Sequence, residues 1–325
     1  MPKLLFSLLV IFMGLSLGKL IQVLHAHGII KLHLALNELR LILQKVALLF
    51  LNPITVIGTI WIVRLDNPKI ILFPFLGIVS ILLGGLFGLA MSRVFQEDRK
   101  QAGSLLVCGA ITNVGSIGGL ISYVFLGEGG YALVSFYTLL VPVTSYCIVF
   151  PVSKLHGLGF TRQENVLSLI RKAFFDPFIV VSVASTVVGC VVNMAGLQRP
   201  AFLGMLNQVF IPLATTLLLI SAGLTIRFSS IWKYRTECMV MAAIKFLILP
   251  VAITSMGILL GYGKMLGGLP LKVLIILSSM PVGFLALVPP TLYDLDVDLA
   301  NSCWLFTTGL LSVVLLGVHM IVNAF

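Results

Sequence analysis

The apolar positions of this chain run in blocks. Stretches of about 20 residues with almost no charge, the length that crosses a bilayer as a helix, alternate with short polar punctuation. Ten blocks can be placed. The first three cover about Leu4 to Leu24, Leu41 to Val63 and Lys69 to Val94, and the fourth and fifth about Gly103 to Leu126 and Tyr131 to Val152. The sixth starts at Asp176-Pro177 and the seventh at Arg199-Pro200, reaching about Leu197 and Ile226. The last three run from about Thr236 to Gly261, Leu271 to Leu292 and Leu299 to Ile321. The pattern therefore predicts an all-α polytopic membrane protein. A polar segment at 153–175 separates a first group of five spans (1–152) from a second (176–325).

Several blocks carry helix breakers. Asn52-Pro53 predicts an interrupted second span and Pro212 interrupts the seventh, since proline removes a backbone donor and clashes with the preceding turn. The fourth span contains TNVGSIGG at 112–119, whose Gly115, Gly118 and Gly119 weaken a helix and invite close backbone approach. The ninth contains Pro281, Gly283, Pro289 and Pro290. In hydrocarbon, broken backbone is tolerated only where protein buries it or it lines a cavity, and paired broken helices are a pointer to a transporter binding site. GEGG at 127–130 reads as a tight turn, and Asn67-Pro68 as a cap with proline at the first helical position. At a constant offset of 168 residues, Val114-Gly115 falls on Val282-Gly283, Asn113 on Pro281, Ala132 on Ala300 and Phe136 on Trp304, which suggests an internal repeat.

Composition agrees with the pattern: of 325 residues, 59% are hydrophobic and 10% charged, far from a soluble domain. The net charge of +10 does not point to nucleic acid, because the loops after odd-numbered spans hold most of the basic residues, such as Arg99, Lys100, Arg162, Lys172 and Arg235. By the positive-inside rule these loops face the cytoplasm and both termini lie outside. With five spans per half, the two halves have opposite orientation. The N-terminal block is too long and lacks a small-residue cleavage site for a signal peptide, so it reads as a retained span. The five cysteines lie in or beside apolar blocks without a CxxC and read as packing residues, not disulfides.

Candidate chemistry is sparse. No GxSxG, HExxH or P-loop is present, which argues against an enzyme or an ATP-driven pump, and no cofactor is expected. His25, His27 and His33 do not share a helix face and read as a solvated loop. Asp294, Asp296 and Asp298 lack the glycine and glutamate of a calcium loop and read as a turn, with Asp298 capping the tenth span. Glu128 reads as a turn residue. Lys245 lies inside the eighth span, where a charge is costly and marks a functional site. It either balances an anionic substrate or anchors the crossing through backbone carbonyls, unless it snorkels. Asn113 can hold a carboxylate beside the broken helix or serve as interhelical glue. Asn52 contacts substrate or satisfies the backbone next to Pro53.

In order along the chain, TNVGSIGG followed by FLGEGGYALVSF, IPLATTLLLISAGL, IKFLILP at 244–250 and PVGFLALVPPTLYDLDVDLANS resemble the auxin efflux carrier family, and among its members the bacterial malate and malonate permeases. The likeness covers nearly the whole chain. It departs from the family at Leu120 and Ala286, where prolines are frequent, and the plant members' long central loop is absent. The resemblance implies two inverted five-helix repeats, with broken spans 4 and 9 crossing at mid-membrane. Spans 1, 2, 6 and 7 would form a scaffold that usually dimerises, and spans 3–5 and 8–10 a transport unit moving in an elevator-like fashion in the cytoplasmic membrane. It implies a small organic anion, a carboxylate or dicarboxylate, as partner beside the lipid bilayer. The substrate-binding set is then Asn113, Gly115, Pro281, Gly283, Lys245 and Asn52, with Gly118, Gly119 and Pro289 as hinge. Alternatives are a Na⁺-coupled carrier of the bile-acid symporter type, or a membrane sensor or partner subunit.

Overall fold

A computed structural model of the chain describes residues 2–30, 34–63, 68–157, 175–226 and 231–324. Apart from one isolated β-bridge, regular structure among them is helical, as expected for a polytopic membrane protein. The helices are α1 (Pro2–Ala26), α2 (Leu36–Ile60), α3 (Pro68–Val94), α4 (Arg99–Ala110), α5 (114–126), α6 (128–156), α7 (Pro177–Met194), α8 (Ala201–Gly223), α9 (Arg235–Leu259), α10 (Leu269–Ser278), α11 (Val288–Leu292) and α12 (Val297–Ala324). Among the described residues, eight helical stretches are long and apolar enough to cross a membrane, α5 and α6 counting together as one of 43 residues. At about 1.5 Å per residue that stretch is twice the hydrocarbon thickness. It turns at Gly127, whose φ of 71° and ψ of −162° are open to glycine, so GEGG is a turn. The fourth and ninth spans are each made of short pieces, α4 with α5 and α10 with α11.

The expected interruption of the second span at Asn52-Pro53 does not occur. Residues Val46–Leu51 widen into a π turn, and the Asn52 N–H donates to the carbonyl of Ala47, five residues back. The same device precedes Pro151, where Phe150 N–H pairs with Ser145, and Pro250, where Leu249 N–H pairs with Ile244. The extra residue in the turn moves the carbonyl that the proline ring would strike, so the helix runs on. Pro212 likewise sits inside a continuous α8. The caps are mostly local. Asp98 and Gln101 form a capping box at the start of α4, and the Asp176 carboxylate accepts from Phe178 N–H at 2.9 Å. The cap of α12 is Asp296, not Asp298: its Oδ1 accepts from Leu299 N–H at 2.9 Å, because the helix starts two residues before the expected position. Asn67 and the linker positions 158–174, with Arg162 and Lys172, lie outside the described residues, as do Lys31 and His33.

The chain forms two compact units, and neither is a sequential half. The first takes the described residues of 1–67, 115–135 and 180–226, the second those of 68–114, 136–179 and 227–325. The first therefore holds most of spans 1, 2, 6 and 7 together with the 115–135 hairpin. In this unit α1 meets α8 through small residues. An added Cβ on Gly18 would fall on the Ile220 carbonyl, and one on Gly223 on the Leu15 carbonyl. This is the close backbone approach that drives packing of helices in lipid. Ala47, Leu51 and Ala214 join α2 to α8, and Asn193 Nδ2 reaches the terminal carbonyls of Ile60, Trp61 and Val63 at 2.8–2.9 Å.

The hairpin belongs to the first unit for a specific reason. Glu128 is no simple turn residue: its Oε2 accepts from Arg199 Nη1 at 2.8 Å and its Oε1 from Asn207 Nδ2 at 2.7 Å. Arg199 Nη1 also donates to the Gly58 carbonyl at 3.0 Å. The Arg199 and Glu128 side chains are only 16% and 19% exposed, so their pairing is shielded from water. Glu128→Ala strips a charged acceptor from two donors, a loss of about 1.5–3 kcal/mol. The melting temperature is expected to fall by on the order of 5 °C. Adding Arg199→Ala is expected to cost less than the sum of the two single changes, which a double-mutant thermal-melt cycle checks.

Candidate functional site

The two broken spans meet inside the second unit. Helix α4 ends because Ile111 turns extended, with φ of −91° and ψ of 116°. Helix α10 ends at Ser279, ahead of Pro281. The two extended pieces pair as an antiparallel β-bridge between Thr112 and Val282. Asn113 N–H donates to the Pro281 carbonyl and Gly283 N–H to the Ile111 carbonyl, each at 2.9 Å. Two breaks that would each strand polar backbone in hydrocarbon thus satisfy one another. The bridge joins residues 170 apart in sequence, two off the 168-residue phase, so residues that this phase aligns (Asn113 and Pro281) are bonded neighbours.

Glycines make the crossing possible. A Cβ on Gly283 would stand 3.0 Å from the Thr112 carbonyl carbon and oxygen, so the second strand approaches the first only without a side chain. Behind it, Gly84 and Gly109 face each other: a Cβ on either would collide with the other's carbonyl. Helices α3 and α4 therefore touch backbone to backbone, which places the last carbonyls of α4 beside α9.

Lys245 fills that place. It is fully buried, and its Nζ donates to the Gly109 carbonyl at 2.6 Å, Thr112 Oγ1 at 2.7 Å and the Ile111 carbonyl at 3.3 Å. An ammonium has three donors, and three acceptors receive them. The cation sits at the C-terminal end of α4, where the helix dipole favours it, and all three acceptors are neutral. Of the two roles open from sequence, this is the geometry of an anchor.

The remaining candidates divide. Asn113 is buried beside the bridge, and Gly115, at the first turn of α5, is exposed with nothing within 4 Å of an added Cβ. Gly118 and Gly119 are buried further along α5. Pro289 is eight residues past Pro281, at the start of α11. Asn52 lies in the first unit, where its Oδ1 accepts from the Tyr131 hydroxyl at 2.9 Å. The expected cysteine roles hold for packing: Cys108, Cys238 and Cys303 are buried, and the five described cysteines are free of disulfides.

Two threonines did not stand out in the sequence. Thr112 completes the Lys245 cage, and Thr307 on α12 accepts from Val282 N–H at 3.2 Å while donating to the Cys303 carbonyl at 2.7 Å. Their only signal was a hydroxyl within an apolar block. Further along the same helix face, Trp304 Nε1 and Thr308 Oγ1 are buried without a hydrogen-bond partner among the described residues. The Trp304 ring packs edge-on against Phe284 of the second break. Buried polar groups are usually satisfied, so this pair, one helical turn apart, is a polar feature that the protein alone does not use.

No family model matches the chain. Two archaeal proteins are similar to it. One from Methanothermobacter thermautotrophicus, described as an uncharacterized transporter, is 26% identical over 256 residues, covering 78% of each chain. One from Methanocaldococcus jannaschii with the same description is 26% identical over 253 residues, covering 77% of this chain and 76% of its own.

Proposed function

We propose that this protein is a secondary transporter of a small organic anion, a carboxylate or dicarboxylate, and that the anion binds at the crossing of the two broken spans. The observation that carries this reading is the buried Lys245 held by neutral acceptors alone. Its three donors are taken by the ends of the first break, so it supports an anion site by fixing the broken backbone rather than by touching the anion. Asn113, whose backbone N–H pairs with the Pro281 carbonyl, supplies a side-chain amide beside the bridge. The two relatives described as transporters support carriage across a membrane, and the resemblance to auxin efflux carriers supports an organic anion and an elevator-like movement in the cytoplasmic membrane.

In this reading Lys245 positions the crossing, while Asn113 touches the anion. Asn52 accepts from the Tyr131 hydroxyl through Oδ1, so Nδ2 is the part of its amide suited to an anion. The purified protein reconstituted into vesicles is expected to take up labelled mono- or dicarboxylates down a gradient with saturable kinetics. A well-folded preparation that moves no member of such a panel would refute the substrate class.

A further inference from the structure

The first unit contains a polar cavity that transport at the crossing does not use. Its volume is about 550 Å³, and it is lined by Lys3 and Phe6 of α1, Tyr123 and Glu128 at the hairpin turn, and Arg199 and Gln208 at the start of α8. Its charge is one-sided. Glu128 spends one oxygen on Arg199 and the other on Asn207, so its negative charge is directed into the protein. The Arg199 guanidinium is held at Nη1 by Glu128 and the Gly58 carbonyl. Its Nη2 lies over Gly204, where an added Cβ would be 3.0 Å away, and Gly204 also lines the cavity. Lys3 makes one long bond, 3.4 Å to the Phe125 carbonyl, and keeps two donors. Gln208 and the Tyr123 hydroxyl add neutral polar groups on the wall.

The apolar side of the cavity continues outward. Phe6, Leu9 and Met13 follow one another on one face of α1 and are 46%, 53% and 47% exposed. A ligand headed by the cavity therefore has an open apolar track beside it along a membrane-spanning helix.

We propose that this cavity binds a singly charged amphiphilic oxyanion, with its phosphodiester or carboxylate head between Lys3 and Arg199 and its tail along Phe6, Leu9 and Met13. Two cations and one internally paired carboxylate leave room for one negative charge. Arginine with a pre-set guanidinium suits either head group. The ligand's source is a membrane phospholipid or a free fatty-acid-like anion.

Native mass spectrometry of the full-length protein separates these. Phosphatidylglycerol, phosphatidylcholine and octanoate are each titrated onto the detergent-solubilised protein. Retention of phosphatidylglycerol about tenfold above phosphatidylcholine marks the phospholipid source, and an octanoate adduct marks the free anion. In either case Lys3→Gln and Gln208→Leu, both exposed positions, are expected to weaken the adduct, whereas Lys264→Gln, a charge loss outside the cavity, is not. Equal retention of both phospholipids with no octanoate adduct overturns the proposal. So does an adduct that Lys3→Gln leaves unchanged.

Discussion

Replacing Lys245 by alanine is expected to reduce transport roughly hundredfold while the protein still inserts. The side chain answers three acceptors at the heart of the crossing, two of them at 2.6 and 2.7 Å. Each buried acceptor left without a donor costs about 1–3 kcal/mol. Loss of the two short bonds alone thus costs about 2–6 kcal/mol, a range that holds the roughly 2.8 kcal/mol of a hundredfold change. The cost falls on the geometry of the break, because Ile111 accepts from Lys245 and from Gly283 at once. When the lysine goes, the carbonyl that carries one half of the bridge loses its second support. Lys245→Arg is expected to recover little, since a planar guanidinium cannot place three donors on points chosen by an ammonium. Vesicle uptake, with a thermal melt of the same preparation, checks this. Wild-type flux in Lys245→Ala would show that the buried cation has no part in the crossing.

Gly109→Ala is expected to be strongly damaging for the addition of a single methyl. The added carbon would collide with the Gly84 carbonyl, and the reverse holds for Gly84→Ala. Both partners are backbone, so no rotamer change relieves the contact, and α3 and α4 must separate. Overpacking of this kind costs about 3 kcal/mol. Here it also shifts the Gly109 carbonyl away from Lys245. Gly115→Ala is the matched control: nothing lies within 4 Å of its added carbon, so the fold is expected to survive. The yield of monodisperse protein after solubilisation separates the two, with Gly109→Ala low and Gly115→Ala near wild type. Comparable yields would mean that α3 and α4 do not meet at these glycines.

Much of this arrangement was legible in the residues. Apolar blocks of span length have one physical use in a bilayer, so the helices could be placed. The glycines of 112–119 and Pro281-x-Gly283 marked the two breaks, and the lysine inside a span lies against the end of the first break. Prolines misled where a change of helix geometry just before them removed the clash. Pro53 carries the same penalty as Pro281, but the π turn at Val46–Leu51 absorbs it, and nothing in the side chains before it announces the extra residue. Glu128 was underestimated because its partners, Arg199 and Asn207, are more than 70 residues away. That long-range pairing also explains why the 115–135 hairpin joins the first unit, although it lies beyond a break that belongs to the second. Asp298 was read as the cap of the tenth span, and the earlier start of α12 gives that place to Asp296.

The proposed function has an organic anion held where the two broken spans cross, with Asn113 in contact with it. The half-saturation concentration for carboxylate-driven charge movement, measured on a solid-supported membrane with wild-type protein and Asn113→Ala, tests it most directly. The predicted result is a saturable wild-type signal and a half-saturation about tenfold higher in the variant, the loss of one good hydrogen bond to a charged group. An identical half-saturation in the two proteins would contradict it.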